Sequence, residues 1–318
     1  DGREHRYWWP GDDPRGGQEP PKDHNKPLYQ ALEHASKFYE HALRQHAERH
    51  TVVNYLKGRG LTGEVARDFR VGFAPAGWDN LMQASGADEA SQERLMRSGM
   101  LVKNDKGRTY DRFRERVMFP IQDQRGRVIA FGGRILDSEA NPSAPKYLNS
   151  PDTPLFDKGR TLYNLHRAAP AARQSGRMIV VEGYMDAIAL ANAGIREAVA
   201  PLGTALTENQ IELLWRQVER PILCFDGDNA GQRAAMRAIA RALPMLRPAH
   251  SLAIVRLPAG MDPDDLIKAQ GVAAFEQVLE KAQPLMEALW ALEARAVPLD
   301  TPEAKAGLKA RLLTHVEA

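Results

Sequence analysis

Cysteine is almost absent: Cys224 is the only one in 318 residues. An intramolecular disulfide is therefore excluded, and so is a thiolate zinc cluster. Cys224 lies in the apolar run Pro221-Ile222-Leu223-Cys224-Phe225 and reads as a small buried hydrophobe. No apolar run approaches the ~20 residues that span a bilayer. No basic start followed by an apolar stretch marks a signal peptide. No Gly-x-x-x-x-Gly-Lys-Ser/Thr occurs, so the glycines form no P-loop. An excess of one charge is also lacking, because 43 Lys and Arg face 41 Asp and Glu for a net charge of +2. Bulk electrostatics would not draw nucleic acid, and any basic surface must come from local segregation.

The rest of the composition is that of an ordinary globular protein, 43% hydrophobic and 26% charged. The length fits about two domains. A cytoplasmic location with no membrane partner is expected. The chain begins with Asp1 and reaches Ala318 without a helix stop signal, which is expected of a fragment or a processed form.

Residues 1–27 hold Pro10, Pro14, Pro20 and Pro21 with many charges, a composition that reads as a linker or arm. Tyr7, Trp8 and Trp9 are unusual in a linker and fit either a docking patch or a locally sticky tail. Leu28 to Leu56 carries apolar residues at helical spacing. His46 and His50 stand four apart, but no further ligands lie nearby, so a solvated helix face is the better reading and no zinc is expected. Asn104-Asp105-Lys106-Gly107 marks a hairpin turn within Arg94 to Tyr110. Val117 to Ile121 and Arg127 to Ile135 are strand-like, which makes 28–172 a mixed α and β subdomain.

From 173 to 267 strands alternate with helices, the pattern of crossover units and a mainly parallel sheet. Thr207 with Gln210 three residues on opens one of those helices as a capping box. The remaining segment, 268–318, is expected to be helical, with breaks at Gly271, Pro284 and Pro298. The fold class is α/β, α+β over the whole chain.

Three groups of carboxylates follow three of the expected strands. Glu182 and Asp186 follow Ile179 to Val181, Asp226 and Asp228 follow Ile222 to Phe225, and Asp262, Asp264 and Asp265 follow Ala253 to Leu257. In an open parallel sheet, ligands gather beyond the carboxyl ends of the strands. Clustered carboxylates repel unless cations neutralise them. Magnesium takes oxygen ligands and keeps part of its water shell for substrate phosphates, so the set suits phosphoryl transfer. Any one group alone is better read as a turn, since Asp and Gly are common turn residues. Three groups in one alternating unit reverse that balance.

Between Lys103 and Arg134 there are nine basic residues and four acids. Arg112, Arg114 and Arg116 alternate, and in an extended segment they would share one face. Such a strip attracts backbone phosphates, although a charge run alone is more often a solvated face. Gly132-Gly133 reads as a tight bend or a close approach of backbone to ligand.

Glu182-Gly183-Tyr184-Met185-Asp186, Asp226-Gly227-Asp228 and Asp262-Pro263-Asp264 resemble the signature of the TOPRIM domain, shared by bacterial primases, topoisomerases and some nucleases. Upstream, Arg114 to Ile121, Gly132-Gly133-Arg134, Pro145 to Ser150, Lys158-Gly159-Arg160 and Gly72 to Pro75 resemble bacterial replicative primase motifs. The similarity runs from about Leu28 to the end.

This resemblance implies a DNA-directed RNA polymerase, a nucleotidyltransferase that makes RNA primers on single-stranded DNA for replication. Its other partners would be ribonucleoside triphosphates and the RNA–DNA primer hybrid. It implies that Asp226, Asp228, Asp262 and Asp264 hold Mg2+, or Mn2+ in its place, with Glu182 a ligand or proton acceptor and Asp186 a supporting carboxylate. It implies that Arg59, Arg134, Lys146, Lys158 and Asn149 bind template or nucleotide. A replicative helicase and a zinc-binding domain would engage the full-length protein through regions not visible in this sequence. The alternative is another TOPRIM enzyme that cuts strands. A topoisomerase would need a nucleophilic tyrosine, and Tyr163, Tyr147 and Tyr110 all sit in primase-like motifs.

Overall fold

The computed structural model describes residues 24–86, 88–136, 144–203, 205–295 and 297–317. Tyr7, Trp8 and Trp9, with most of the expected arm, lie outside the described residues.

The first helix, α1 (Lys26–Gln45), buries Leu28, Leu32, Ala35, Tyr39 and Ala42 along one stripe. Leu28 to Leu56 is not one helix. His46 turns to an extended backbone (φ −65°, ψ 147°), and α2 (Arg49–Gly58) starts afresh. The Thr62 side chain caps α3 (Gly63–Asp68) by accepting from Val65 N. Next come β1 (Gly72–Ala74), α4 (Asn80–Ala84), α5 (Glu89–Arg97) and the expected hairpin of β2 (Leu101–Lys103) and β3 (Thr109–Asp111). Then β4 (Arg116–Gln122), β5 (Val128–Ile135) and β6 (Tyr147–Asn149) join β1 in an antiparallel sheet of order β1-β4-β5-β6. The α1 stripe lies across β1 and β5.

Helix α6 (Leu165–Ser175) crosses the expected boundary at 172 and leads into the second sheet. In chain order this unit contains β7 (Ile179–Val180), α7 (Tyr184–Asn192), β8 (Ala198–Val199), α8 (Glu208–Trp215), β9 (Ile222–Phe225), α9 (Asn229–Ala242) and β10 (Ala253–Arg256). Helices α10 (Pro263–Gln270) and α11 (Val272–Glu280) follow. The Thr207–Gln210 capping box opens α8 as expected.

With β11 (Gln283–Pro284) at one edge, the strand order is β11-β10-β9-β7-β8, parallel except at the β10–β11 pairing. The exception falls at the expected break at Pro284, where the chain forms a short strand that the expectation of a helical 268–318 did not include. β11 pairs with β10 at Ala253↔Pro284 before α12 (Leu285–Arg295) and α13 (Pro302–Glu317) complete the chain. An edge strand tolerates proline because one of its sides carries no ladder. Among the described residues no helix is long and apolar enough to cross a membrane.

One hydrophobic core joins the two units, with Phe73, Val117, Phe119 and Ile121 of the first sheet beside Tyr184, Ile188 and Leu190 of α7 and Ala198 after it. The loops beyond β9 and β10 meet backbone to backbone. Gly227 N donates to Met261 O at 3.0 Å, and a Cβ on Gly227 would lie 2.0 Å from Pro258 O. No side chain fits that contact. Gly227→Ala should cost ~1–3 kcal/mol as an overpacked site, read in urea as a lower midpoint with an unchanged slope.

Candidate active site

The carboxylates gather at the carboxyl ends of the parallel strands because each strand hands its chain to a helix there. Glu182 leaves the β7 end, and its Oε1 accepts from Asp226 N at 3.0 Å. Asp186 stands in the first turn of α7, where its Oδ2 accepts from Gly183 N at 3.0 Å. Asp228 caps α9 by accepting from Gly231 N at 2.7 Å, and Asp262 caps α10 by accepting from Asp265 N at 2.7 Å. Asp264, buried in the first turn of α10, pairs with Lys268. The turn-residue and functional readings thus describe the same side chains, since N-caps fix the turns and hold the charges in place.

Their crowding shows in their acidities. Asp226 is pushed up to about 7, by burial first and then by Glu182, Asp262, Asp228 and Asp265. Asp186 is pushed up to about 8, by burial first and then by Asp262, Asp226 and Asp264 against the amide of Gly183. Burial also raises Glu182 and Asp262. Among the described residues no three His, Cys, Asp or Glu side chains close into a metal cage. The carboxylates therefore feel one another's charge without converging on a point. Magnesium matches that spacing better than zinc does, because it keeps several waters and takes one or two carboxylates with substrate phosphates. Asp226 Oδ1 is buried with no hydrogen-bond partner. An orphaned, charge-crowded oxygen of this kind fits a divalent cation.

A set of cationic side chains lies on the first unit. Arg134 of β5 is only 8% exposed, with its guanidinium 4.6 Å from the Tyr55 ring and 5.6 Å from the Tyr147 ring. Its Nε and Nη1 are buried without a partner. Arg59, at the end of α2, lies 6.0 Å from the Tyr55 ring, and its charge is felt by Asp262 and Tyr147. Lys146 is exposed just before β6, and Lys158 stands half-buried in the turn that Asp157 caps.

The strip arginines do not share one face. Only Arg116 is in β4; residues 112–115 are irregular, and Glu115 is left-handed at φ +53°. Arg112 donates to Asn149 O from Nε (3.3 Å) and Nη2 (3.1 Å). Arg114 lies 4.3 Å over the Trp78 ring and 5.0 Å over Tyr110. Arg116 is 5% exposed and donates Nη1 to Gly133 O and Pro145 O, holding the β5–β6 edge from inside. Gly132-Gly133 makes no bend either. Both lie inside β5, and the space beside Gly132 is taken by Tyr184, not by a ligand.

Asn149 spends both ends of its amide internally, accepting from the Tyr184 hydroxyl at 2.7 Å and donating to Leu202 O at 2.9 Å. His46 meets Phe73 edge-on at 5.6 Å. The sequence reading gave no binding or positioning role to Tyr55, Tyr147, Tyr184 or Trp78, although Tyr147 and Tyr184 stand inside the motifs it used. Trp78, beside Arg108 and Arg114, is 54% exposed.

A family model described as the N-terminal domain of the DNA primase catalytic core matches residues 38–169, and a Toprim-like model matches 179–267. The DNA primase of Pseudomonas aeruginosa is 49% identical over 305 residues, 94% of this chain and 45% of that protein. The DNA primase of Escherichia coli K12 is 47% identical over 281 residues, 88% of this chain and 48% of that protein. The chain thus spans about half the length of the curated relatives it matches. The crystal structure of a primase domain from P. aeruginosa superposes with a TM-score of 0.86 at 49% identity, covering 92% of this chain and 90% of that one. A DnaG primase catalytic domain bound to ssDNA superposes at 0.82 with 45% identity, covering 92% and 93%.

The raised pKa values fix the sign of a pH effect. Between the ordinary Asp value of about 3.9 and about 7, folded Asp226 holds a proton that the unfolded chain releases. Without divalent metal, stability should therefore fall as pH rises from about 4 to about 7. Asp226→Asn should lose less over that range, and Mn2+ should restore much of the wild-type loss above pH 7. Melting curves across pH, with and without Mn2+, measure this. Parallel curves for both proteins would remove the charge-crowding account.

Proposed function

The chain belongs to the family of bacterial DnaG-type primase catalytic cores, with a Toprim domain, and from that premise we propose that it copies single-stranded DNA into short RNA primers. The reaction is nucleotidyl transfer in the bacterial cytoplasm. A ribonucleotide 3′-hydroxyl attacks the α-phosphate of the next ribonucleoside triphosphate, and pyrophosphate leaves. The observation that carries this reading is the presence of two incomplete half-sites. Asp226 has an orphaned buried oxygen, and Arg134 has two orphaned buried nitrogens.

Asp226, Asp228, Asp262 and Asp264 would hold Mg2+ or Mn2+, with Glu182 completing the set and Asp186 supporting it. When bound, such ions would neutralise the carboxylates, lower the pKa of an attacking hydroxyl and screen the charge of the leaving pyrophosphate. The protein's own groups do the rest. Arg134 and Arg59 receive phosphate oxygens, and the Tyr55 and Tyr147 rings keep the Arg134 guanidinium in place. Lys146 and Lys158 extend that positive set along the primer–template hybrid. Arg112 and Arg114 face the incoming template, while Arg116 shapes the groove from within. The DnaG relative described as bound to ssDNA supports a single-stranded template.

Strand cleavage is the weaker reading. Tyr163 is 2% exposed, and burial raises its pKa, so it is a poor nucleophile.

Two measurements test the proposal. Asp226→Asn and Asp264→Asn should each lose template-dependent ribonucleotide incorporation by at least about 100-fold while binding single-stranded DNA as before. Arg134→Ala should weaken template or nucleotide binding and flatten its salt dependence by about 0.7 per lost phosphate contact. Incorporation by both Asn variants at wild-type rates would refute the site. Nicking of supercoiled DNA without incorporation would favour cleavage.

A further inference from the structure

Resting on that function, we propose that Asn149 and Tyr184 form a positioning latch, whose hydrogen bond fixes the first turn of α7, and with it the carboxylate edge, against the cationic side chains of the first unit.

Asn149 ends β6, the edge strand of the first sheet, and Tyr184 begins α7. Tyr184 lies two residues from Glu182 and two from Asp186, so a shift of its hydroxyl moves the segment that carries both carboxylates. The bond is 2.7 Å, from the Tyr184 hydroxyl to Asn149 Oδ1. The other end of the amide donates to Leu202 O, in the loop after β8, at 2.9 Å. One side chain thus ties the first sheet to two separate segments of the second. Its main-chain carbonyl accepts from Arg112, so a strip arginine meets the same residue.

The surroundings are built for this contact. The Tyr184 ring is held by Phe119 at 5.4 Å, Tyr163 at 5.3 Å and Tyr147 at 5.5 Å, which leaves the hydroxyl little freedom. Gly132 pairs with Asn149 across β5 and β6, and a Cβ there would lie 2.6 Å from the Tyr184 hydroxyl and 3.0 Å from Asn149 Oδ1. The ring is clamped, so the hydroxyl cannot retreat as a free side-chain end would. A close approach of this kind at the reacting edge matters because a displacement of about 1 Å can cost 10²-fold in rate. Asn149 therefore acts through Tyr184 and does not itself need to touch a nucleotide.

The test compares Tyr184→Phe, Asn149→Ala and the double variant in templated ribonucleotide incorporation, with Mn2+ affinity measured on the same samples by paramagnetic resonance. Tyr184→Phe removes only the hydroxyl and keeps the ring packing, so melting temperature should stay near wild type. The expected result is a loss of about tenfold in kcat for each single variant, with KM for nucleotide within about twofold. Mn2+ affinity should weaken in parallel. The double variant should be no worse than Asn149→Ala, because both changes break one bond. Asn149→Asp keeps the acceptor for Tyr184 but loses the donor to Leu202 O, so it should recover only part of kcat, and only when Tyr184 is present. Gly132→Ala, which pushes on the pair without deleting either partner, should lower kcat in the same way. Multiplied losses in the double variant, or full kcat and full Mn2+ affinity in Tyr184→Phe, would overturn the latch. If wild type incorporates nothing yet Mn2+ affinity falls equally in both single variants and the double, the latch stands and primer synthesis falls. If wild type neither incorporates nucleotide nor binds Mn2+, both fall.

Discussion

Like charge at the end of a parallel sheet is the constraint around which the rest of the structure is arranged. Glu182, Asp186, Asp226 and Asp262 all have raised pKa values, with burial the leading cause and neighbouring carboxylates adding to it. A fold can tolerate such a group of anions only by anchoring each of them. Backbone amides do this for Glu182, Asp186, Asp228 and Asp262, and Lys268 does it for Asp264. Asp226 is the exception, because one of its oxygens is buried and receives nothing. The anchoring is thus nearly complete before any cation arrives, and the deficit that remains is located on one atom.

The net charge of +2 conceals how strongly the two signs are separated. The negative groups lie at the ends of β7, β9 and β10, and the positive groups lie on α2, β5 and the approach to β6. Arg134 is held by aromatic faces and not by a carboxylate. A ring face stabilises a guanidinium without neutralising it, so the charge remains available to an incoming phosphate. A salt bridge would have consumed it. Arg70, between Glu33 and Glu40, shows what a consumed arginine looks like in this chain.

How much of this was legible in the sequence depended on whether the signal was periodic. The alternation from Ile179 to Leu257 gave the parallel sheet, and once strand ends were placed the carboxylates fell on one edge without further information. The capping box at Thr207 and the hairpin turn at Asn104 to Gly107 were equally local. The expectation for Arg112, Arg114 and Arg116 did not hold because alternation implies a shared face only in extended backbone. The left-handed Glu115 breaks that condition, and nothing in its identity announces the break. β11 was hidden for a related reason: a two-residue edge strand containing Pro284 has no period to detect. The roles of Tyr55, Tyr147 and Tyr184 depend on contacts between segments far apart in the chain, which no local pattern encodes.

The two sheets share one apolar core, and this settles a question that the charges alone leave open. Apolar burial is non-directional; it holds the sheets together but selects no angle between them. Attraction between the carboxylate edge and the cationic groups is long-range and likewise fixes no register. The directional contacts fix it. Tyr184 reaches over Gly132 to Asn149, Asn149 reaches on to Leu202, and Arg116 secures the strand edge beneath them. Each of these bonds is neutral or spends its charge on carbonyls, so none draws on the carboxylates or on Arg134. The register of the two sheets is therefore held by groups that take no part in the charge balance.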